Sequence, residues 1–270
     1  MTLPKTTNKQ QQILTLIPRF RYLHRLHIQK LLNHKDKRRI NSWLKLLKIN
    51  EYIKEVPKGK GIKEHTKPTV YYLDLNGIRW LISQGLFDKS IIHNLYRQKD
   101  RSEEFTNQSL FLADIYLELK NSLTEKDSLI FYTKTDYSSP TSPFTFLNET
   151  TSKLTPEAYF MKQVGKGRKN HYLLHIIPSS MLRFRSHKLK NRIREYIDSY
   201  FANTWQNHTK KSFPILLFIL PDMQALIYLQ KITEKVLNDN NNPKIAIRLT
   251  TQEEVQKMGF TNGSAWEDVR

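Results

Sequence analysis

The chain contains no cysteine. That absence excludes a disulfide framework, thiolate-ligated zinc, an iron–sulfur cluster and a thiol nucleophile. Acidic residues are scarce beside basic ones, 25 Asp+Glu against 44 Lys+Arg, for a formal net charge of +19. An excess of this size points to a polyanionic partner, nucleic acid or an anionic membrane surface. It does not mark a disordered chain, because hydrophobic residues make up 39% and aromatics 11%. Long apolar runs are missing too. The most apolar stretch, Phe213 to Leu220, stops at Pro221, too short to span a bilayer and suited to a buried strand. Nor does an apolar run follow the charges of Met-Thr-Leu-Pro-Lys-Thr-Thr-Asn-Lys, so no signal peptide is expected. The expectation is a cytoplasmic protein without membrane insertion, and 270 residues accommodate one large domain or two modest ones.

The charge is unevenly spread. Residues 1–100 hold 21 Lys+Arg and 7 Asp+Glu, a net +14, while residues 101–270 hold 23 and 18, a net +5. A second basic region, Lys153 to Arg194, has 11 basic residues and a single acid, Glu157. No internal repeat is visible.

The first third predicts a winged helix-turn-helix over residues 1–86. Ile13, Leu14, Leu16 and Ile17 form the stripe of a first helix ending at Pro18, and Ile28, Leu31 and Leu32 mark a second. After the polar turn Asn33-His34-Lys35-Asp36, a third helix opens on Asp36 as N-cap, with Ile40, Trp43, Leu44 and Leu47 inward. Lys37, Arg38, Asn41 and Ser42 lie on its outer face, where a recognition helix meets base edges and phosphates. Lys35, Arg39 and Lys45 flank them. Tyr52–Val56 and Thr69–Leu73 read as strands around a basic loop carrying Lys58, Lys60, Lys63 and Lys67, a wing, and Asp74–Ile82 as a closing helix. Basic side chains at a helix start or in a glycine-rich loop also serve plain solubility. Here they coincide with the most basic third of the chain, which favours DNA. Trp43 is assigned to the core. His24, His27 and His34 lack supporting carboxylates or thiols and are assigned to surface or packing.

Residues 87–107 read as a connector, and residues 108–270 as an α/β domain, so the chain is α+β overall. A helix over Gln108–Leu123, a strand at Leu129–Tyr132 and a Ser/Thr/Pro-rich loop over Thr135–Thr151 precede a hairpin. Its strands are Pro156–Met161 and His171–Ile177, and Gly165-Lys166-Gly167 between them is a turn and not a phosphate loop, since no helix follows. A helix then runs from the basic segment Arg183, Arg185, Lys188, Lys190, Arg192 and Arg194 to Trp205. Strand Ile215–Leu220, helix Met223–Leu237, strand Lys244–Leu249 and helix Thr251–Met258 complete a mixed sheet flanked by helices.

A carboxylate beginning one strand of a hairpin, with further ligands on the next, resembles the metal-dependent nucleases of the PD-(D/E)XK type, which hold a divalent ion and activate water. Glu157 is in place, whereas His175 and Ile177 stand where acidic or polar partners are expected. Glu157 therefore reads as a surface carboxylate and His175 as a half-buried histidine, too few groups for a hard ion.

Across nearly its whole length the chain resembles the replication-relaxation family of plasmid and integrative-element proteins, related to MobC-type relaxases. The resemblance runs through Val70-Tyr71-Tyr72-Leu73-Asp74-Leu75-Asn76-Gly77, Ser109–Tyr116, Leu154-Thr155-Pro156-Glu157-Ala158-Tyr159-Phe160, Pro214–Pro221, Leu249-Thr250-Thr251, Gly259-Phe260 and Ala265-Trp266. The family has Asp at Glu157 and an acidic pair where this chain reads Leu174-His175-Ile176-Ile177. The resemblance implies a nuclease-like scaffold that has lost catalysis and kept DNA binding. The expected function is that of a sequence-specific double-stranded DNA-binding protein of a mobile element, in replication, relaxosome assembly or transcriptional control. No cofactor is expected. The rival is a nickase using Glu157 and His175 with Mg²⁺ or Mn²⁺. Relaxosome or replication proteins are expected as further partners, and a homodimer is compatible. Arg183–Arg194 would extend the DNA path or meet a partner.

Overall fold

The computed structural model describes residues 3–59, 66–86, 89–137, 142, 144, 155–241 and 243–269, with only the backbone of 89–90 and 182–186. The chain is mixed α/β and forms two compact units, Met1–Leu117 with Ser138–Ser142, and Glu118–Tyr137 with Pro143–Arg270. Residues 87–107, read above as a connector, group with the first unit. No helix among the described residues is long and apolar enough to cross a membrane.

In the first unit, α1 (Asn8–Phe20) opens on a capping box: the Thr7 side chain accepts from the Gln10 N–H, and the Gln10 side chain accepts from the Thr7 N–H at 2.9 Å. Two of the orphan donors of the first turn are thereby satisfied. Ile13, Leu14, Ile17 and Phe20 supply its buried face. The helix continues past Pro18, where the sequence predicts its end. Proline fixes φ near the helical value and removes the one N–H that would donate to the Leu14 carbonyl, so it costs a hydrogen bond without ending the helix. The break comes instead at Arg21, with φ at 72°.

A two-residue strand β1 (Leu23–His24), without counterpart in the predicted elements, leads into α2 (Arg25–Leu31) and α3 (Lys37–Ile49). Strands β2 (Ile53–Glu55) and β3 (Val70–Leu73) follow, and the three pair antiparallel in the order β1-β3-β2, with Leu23 opposite Tyr71 and Ile53 opposite Leu73. Ile40, Leu44 and Leu47 turn inward from α3. Trp43, expected in the core, is half-buried with its ring edge-on to His34 at 5.0 Å. At 100° per residue it lies on the margin of the stripe those three residues define. α4 (Leu75–Ser83) packs on the β2 end so closely that a Cβ at Gly77 would stand 2.2 Å from the Tyr52 carbonyl oxygen. Only glycine permits that approach. α5 (Lys89–Tyr96) and α6 (Glu103–Asn121) follow, the unit boundary falling inside α6.

The second unit is built on a six-stranded sheet. Its elements are β4 (Ser128–Thr133), α7 (Lys134–Tyr137), β5 (Ala158–Gln163), β6 (Asn170–Ile176), α8 (Ser179–Phe201), α9 (Thr204–Thr209), β7 (Ile215–Leu220), α10 (Met223–Asp239), β8 (Ile247–Thr251), α11 (Gln252–Met258) and β9 (Glu267–Asp268). The strand order is β4-β5-β6-β7-β8-β9, parallel through β6, β7 and β8 and antiparallel elsewhere. The continuous apolar run of β7 follows from its central place, covered on both faces. Strand alternation sends Tyr159, Leu173, Phe218 and Leu249 into one core with Leu189, Ile193 and Tyr196 of α8 and Leu226 and Leu229 of α10. The predicted loop over Thr135–Thr151 begins with α7, and most of the rest lies outside the described residues.

Candidate functional site

Asp36 sets the start of α3. Its carboxylate accepts the N–H of Arg38 at 2.8 Å and of Arg39 at 3.3 Å, and these bonds hold its pKa below the usual carboxylate range. The helix so anchored turns its apolar stripe to the core and leaves Lys37, Arg38, Arg39, Asn41, Ser42 and Lys45 exposed, with Lys35 exposed just before it. Lys37, Arg38, Asn41, Ser42 and Lys45 recur at helical spacing on one side, and no acidic residue occurs between 37 and 49. Toward its end Lys48 pairs with Glu55 of β2 at 2.8 Å. Lys58 and Lys67, in the segment between β2 and β3, are exposed, and Lys58 Nζ donates to the Lys67 carbonyl at 2.7 Å. Lys60 and Lys63 lie outside the described residues.

His24 and His27 are tied into the structure of this unit. His24 caps α2 by accepting the His27 N–H at 3.1 Å, and the two rings stack at 3.5 Å. Burial, reinforced by His27, lowers the His24 pKa to about 4. His27 is buried and its Nε2 lies 2.9 Å from Asp114 Oδ1. The packing role expected for these two is what the geometry shows, with a carboxylate partner that sequence distance concealed.

In the second unit the structure does bring Glu157 and His175 together, Oε2 lying 3.6 Å from Nδ1. Their surroundings differ from a metal site. Glu157 Oε2 accepts the Ile176 N–H at 3.1 Å. His175 is fully buried, not half-buried as expected, and stacks on Phe218 at 4.8 Å. Its Nδ1 faces Arg192 Nη1 at 3.3 Å and its Nε2 the Tyr196 hydroxyl at 2.7 Å. Burial first, then Arg192 and Lys134, push its pKa well below the ordinary histidine value. Both ring nitrogens are engaged and a guanidinium stands beside the one nearest the carboxylate, so these residues do not fit Mg²⁺ or Mn²⁺. Among the described residues no group of three or more His, Asp or Glu is placed to hold a metal ion.

The basic row of α8 divides. Lys188 and Arg194 are exposed and Lys190 is partly so, whereas Arg192 reaches His175. The side chains of Arg183 and Arg185 lie outside the described residues. The partnership of Arg192 and Tyr196 with His175 is the feature that sequence reasoning missed. Its one signal is the i,i+4 spacing of the two α8 residues.

Comparison with protein-family models, with curated proteins and with solved structures gave no match.

Proposed function

We propose that the first unit is a winged helix-turn-helix that binds double-stranded DNA. The observation that carries this reading is the exposed side of α3, where Lys37, Arg38, Asn41, Ser42 and Lys45 stand together with no acidic residue in the helix. Arg and Asn suit bidentate readout of guanine and adenine edges, while Lys and Ser suit phosphate oxygens. The order helix, strand, helix, helix, strand, strand, with β1 paired to β3, supports it, since a winged helix is strung this way. On this reading α3 enters the major groove and the segment between β2 and β3, with Lys58, Lys60, Lys63 and Lys67, serves as the wing along the backbone.

The role in the cell rests on the resemblance to the replication-relaxation family. We read the chain as a sequence-specific DNA-binding protein of a plasmid or other mobile element, acting in replication, relaxosome assembly or transcriptional control. Its second unit is read as a degenerate PD-(D/E)XK-like scaffold in which His175 and Ile177 stand at the positions of the acidic pair. The role calls for no cofactor. It calls for double-stranded DNA, with replication or relaxosome proteins as further partners, and is compatible with a homodimer.

Duplex binding by the full chain tests this. If ~6–10 phosphates are neutralised, affinity falls by ~10³–10⁵ between 50 and 200 mM salt. Charge reversal by Lys37→Glu with Arg38→Glu abolishes it. Affinity indifferent to salt, or unchanged in that variant, sinks the proposal. A genome-wide map of bound sites then separates an origin, a transfer site and a promoter.

A further inference from the structure

We propose that the second unit binds a nucleobase that carries a phosphate, in a cleft on the sheet face opposite α8 and α10. The cleft measures about 140 Å³ and is lined by Phe160, Lys162, Tyr172, Arg248, Phe260 and Trp266 among others. This site is separate from the α3 surface and does not depend on it.

The aromatic part is held in place. Phe160 and Tyr172, opposite one another on β5 and β6, stack at 4.6 Å with planes 14° apart. Phe260 meets Phe160 at 5.9 Å and Trp266 edge-on at 5.3 Å, and the indole Nε1 donates to the Phe260 carbonyl at 3.0 Å. Tyr172 and Trp266 are half-buried, so each offers ring surface to the cleft. Base stacking on such rings is sequence-tolerant, because every base has a π-face.

Two cations complete the lining. Lys162 Nζ donates to Ser122 Oγ at 3.1 Å, which leaves two of its three donors. Arg248 Nε is held by Asp268 Oδ1 at 2.8 Å, which leaves the paired Nη groups of a planar fork suited to phosphate. Two carboxylates stand behind the lining, each already engaged: Asp268 on Arg248, and Glu118, whose Oε1 accepts the Thr261 N–H at 2.8 Å and its hydroxyl at 3.0 Å. An apolar cavity of about 150 Å³ accepts benzene, so this one accepts a single ring system and leaves the phosphate at the cations. An aliphatic ligand would leave Lys162 and Arg248 unused, and inorganic phosphate would leave the rings unused. A paired base in a duplex is stacked and out of reach. The ligand is therefore a free nucleotide or one nucleotide of a single strand.

Calorimetric titration of the full chain with adenosine 5′-monophosphate and with a 5′-phosphorylated single-stranded trinucleotide tests the assignment. At least one of the two binds saturably, and Arg248→Gln or Lys162→Gln weakens it by about tenfold, the scale of one charge-assisted hydrogen bond. Lys37→Glu with Arg38→Glu leaves this binding unchanged, which separates it from the α3 reading. Adenosine and inorganic phosphate each bind at least about tenfold more weakly than the compound that joins them. Tighter binding of the trinucleotide identifies a strand as the source, and tighter binding of the mononucleotide a free nucleotide. Should Arg248→Gln fail to fold, Lys162→Gln carries the test. No saturable binding of either probe at millimolar concentration, or binding indifferent to both substitutions, overturns the proposal.

Discussion

Arg192 Nη1 lies 3.3 Å from Nδ1 of His175, and this fixes the state of the buried imidazole. A guanidinium can only donate, so Nδ1 carries the lone pair and Nε2 the proton. Nε2–H then donates to the Tyr196 hydroxyl at 2.7 Å. The ring is neutral, of one tautomer and bound at both nitrogens. Arg192 and Tyr196 are one helical turn apart on α8, so one helix face locks one residue of β6.

Tyr196→Phe removes the acceptor of that N–H and leaves a buried donor unsatisfied. The expected loss is ~1–3 kcal/mol of stability, read by urea denaturation of the full chain. An unchanged midpoint would show that the network does not hold the sheet to α8.

Stability falls in mild acid. Burial lowers the pKa of His24 and of His171 to about 4 from 6.5, and that of His175 well below 6.5. As pH drops below 6.5 the unfolded chain binds these protons and the folded chain does not. Their stabilisation is thus complete above 6.5 and lost progressively toward 4. Denaturation midpoints at pH 7, 6, 5 and 4.5 check this. His24→Asn, which keeps a cap for α2, lessens the slope, and a flat profile contradicts the assignment.

Gly77→Ala places a methyl group 2.2 Å from the Tyr52 carbonyl oxygen, a distance only backbone movement relieves. The expected cost is ~1–3 kcal/mol, as for overpacked cores. Thermal unfolding measures it, and a neutral substitution would mean that α4 shifts freely on β2.

On the proposed DNA interface the exposed residues of α3 separate by role. Lys37→Ala lowers the slope of log affinity against log salt by about 1 and weakens all sequences alike. Asn41→Ala leaves that slope and costs ~1–3 kcal/mol on the preferred site only. Binding isotherms at four salt concentrations on a preferred and a scrambled duplex distinguish the two, and identical behaviour of the variants rejects base readout by Asn41.

The expected outcome with Mg²⁺ or Mn²⁺ is that supercoiled DNA stays intact, read as topoisomers on a gel. This follows from Arg192 and Tyr196 engaging the nitrogens of His175. Metal-dependent nicking that Glu157→Ala abolishes would replace this reading with an enzymatic one.

Much of the architecture was legible in the residues alone, because it rests on local period and on chain-terminating chemistry. The run Ile215–Leu220 between Pro214 and Pro221 is a central strand at the bounds expected, and Asp36 starts α3 where an N-cap residue must. The concentration of +14 of the net charge in the first hundred residues, and the run Lys37-Arg38-Arg39 at the start of α3, are likewise legible in the sequence. Tertiary structure decided the rest. β1 has two residues and no period of its own, and becomes a strand only because Tyr71 and Val70 lie across from it. The basic row from Arg183 to Arg194 looks continuous in sequence, yet α8 turns about 100° per residue, which directs Lys188 and Arg194 to solvent and Arg192 to His175. Likewise Phe160, Lys162 and Tyr172 of one hairpin meet Arg248 and Trp266, far along the chain, only when strand order and register bring them to one sheet face. Periodicity states which side of an element is apolar. Which residue stands across from that side is settled by packing alone.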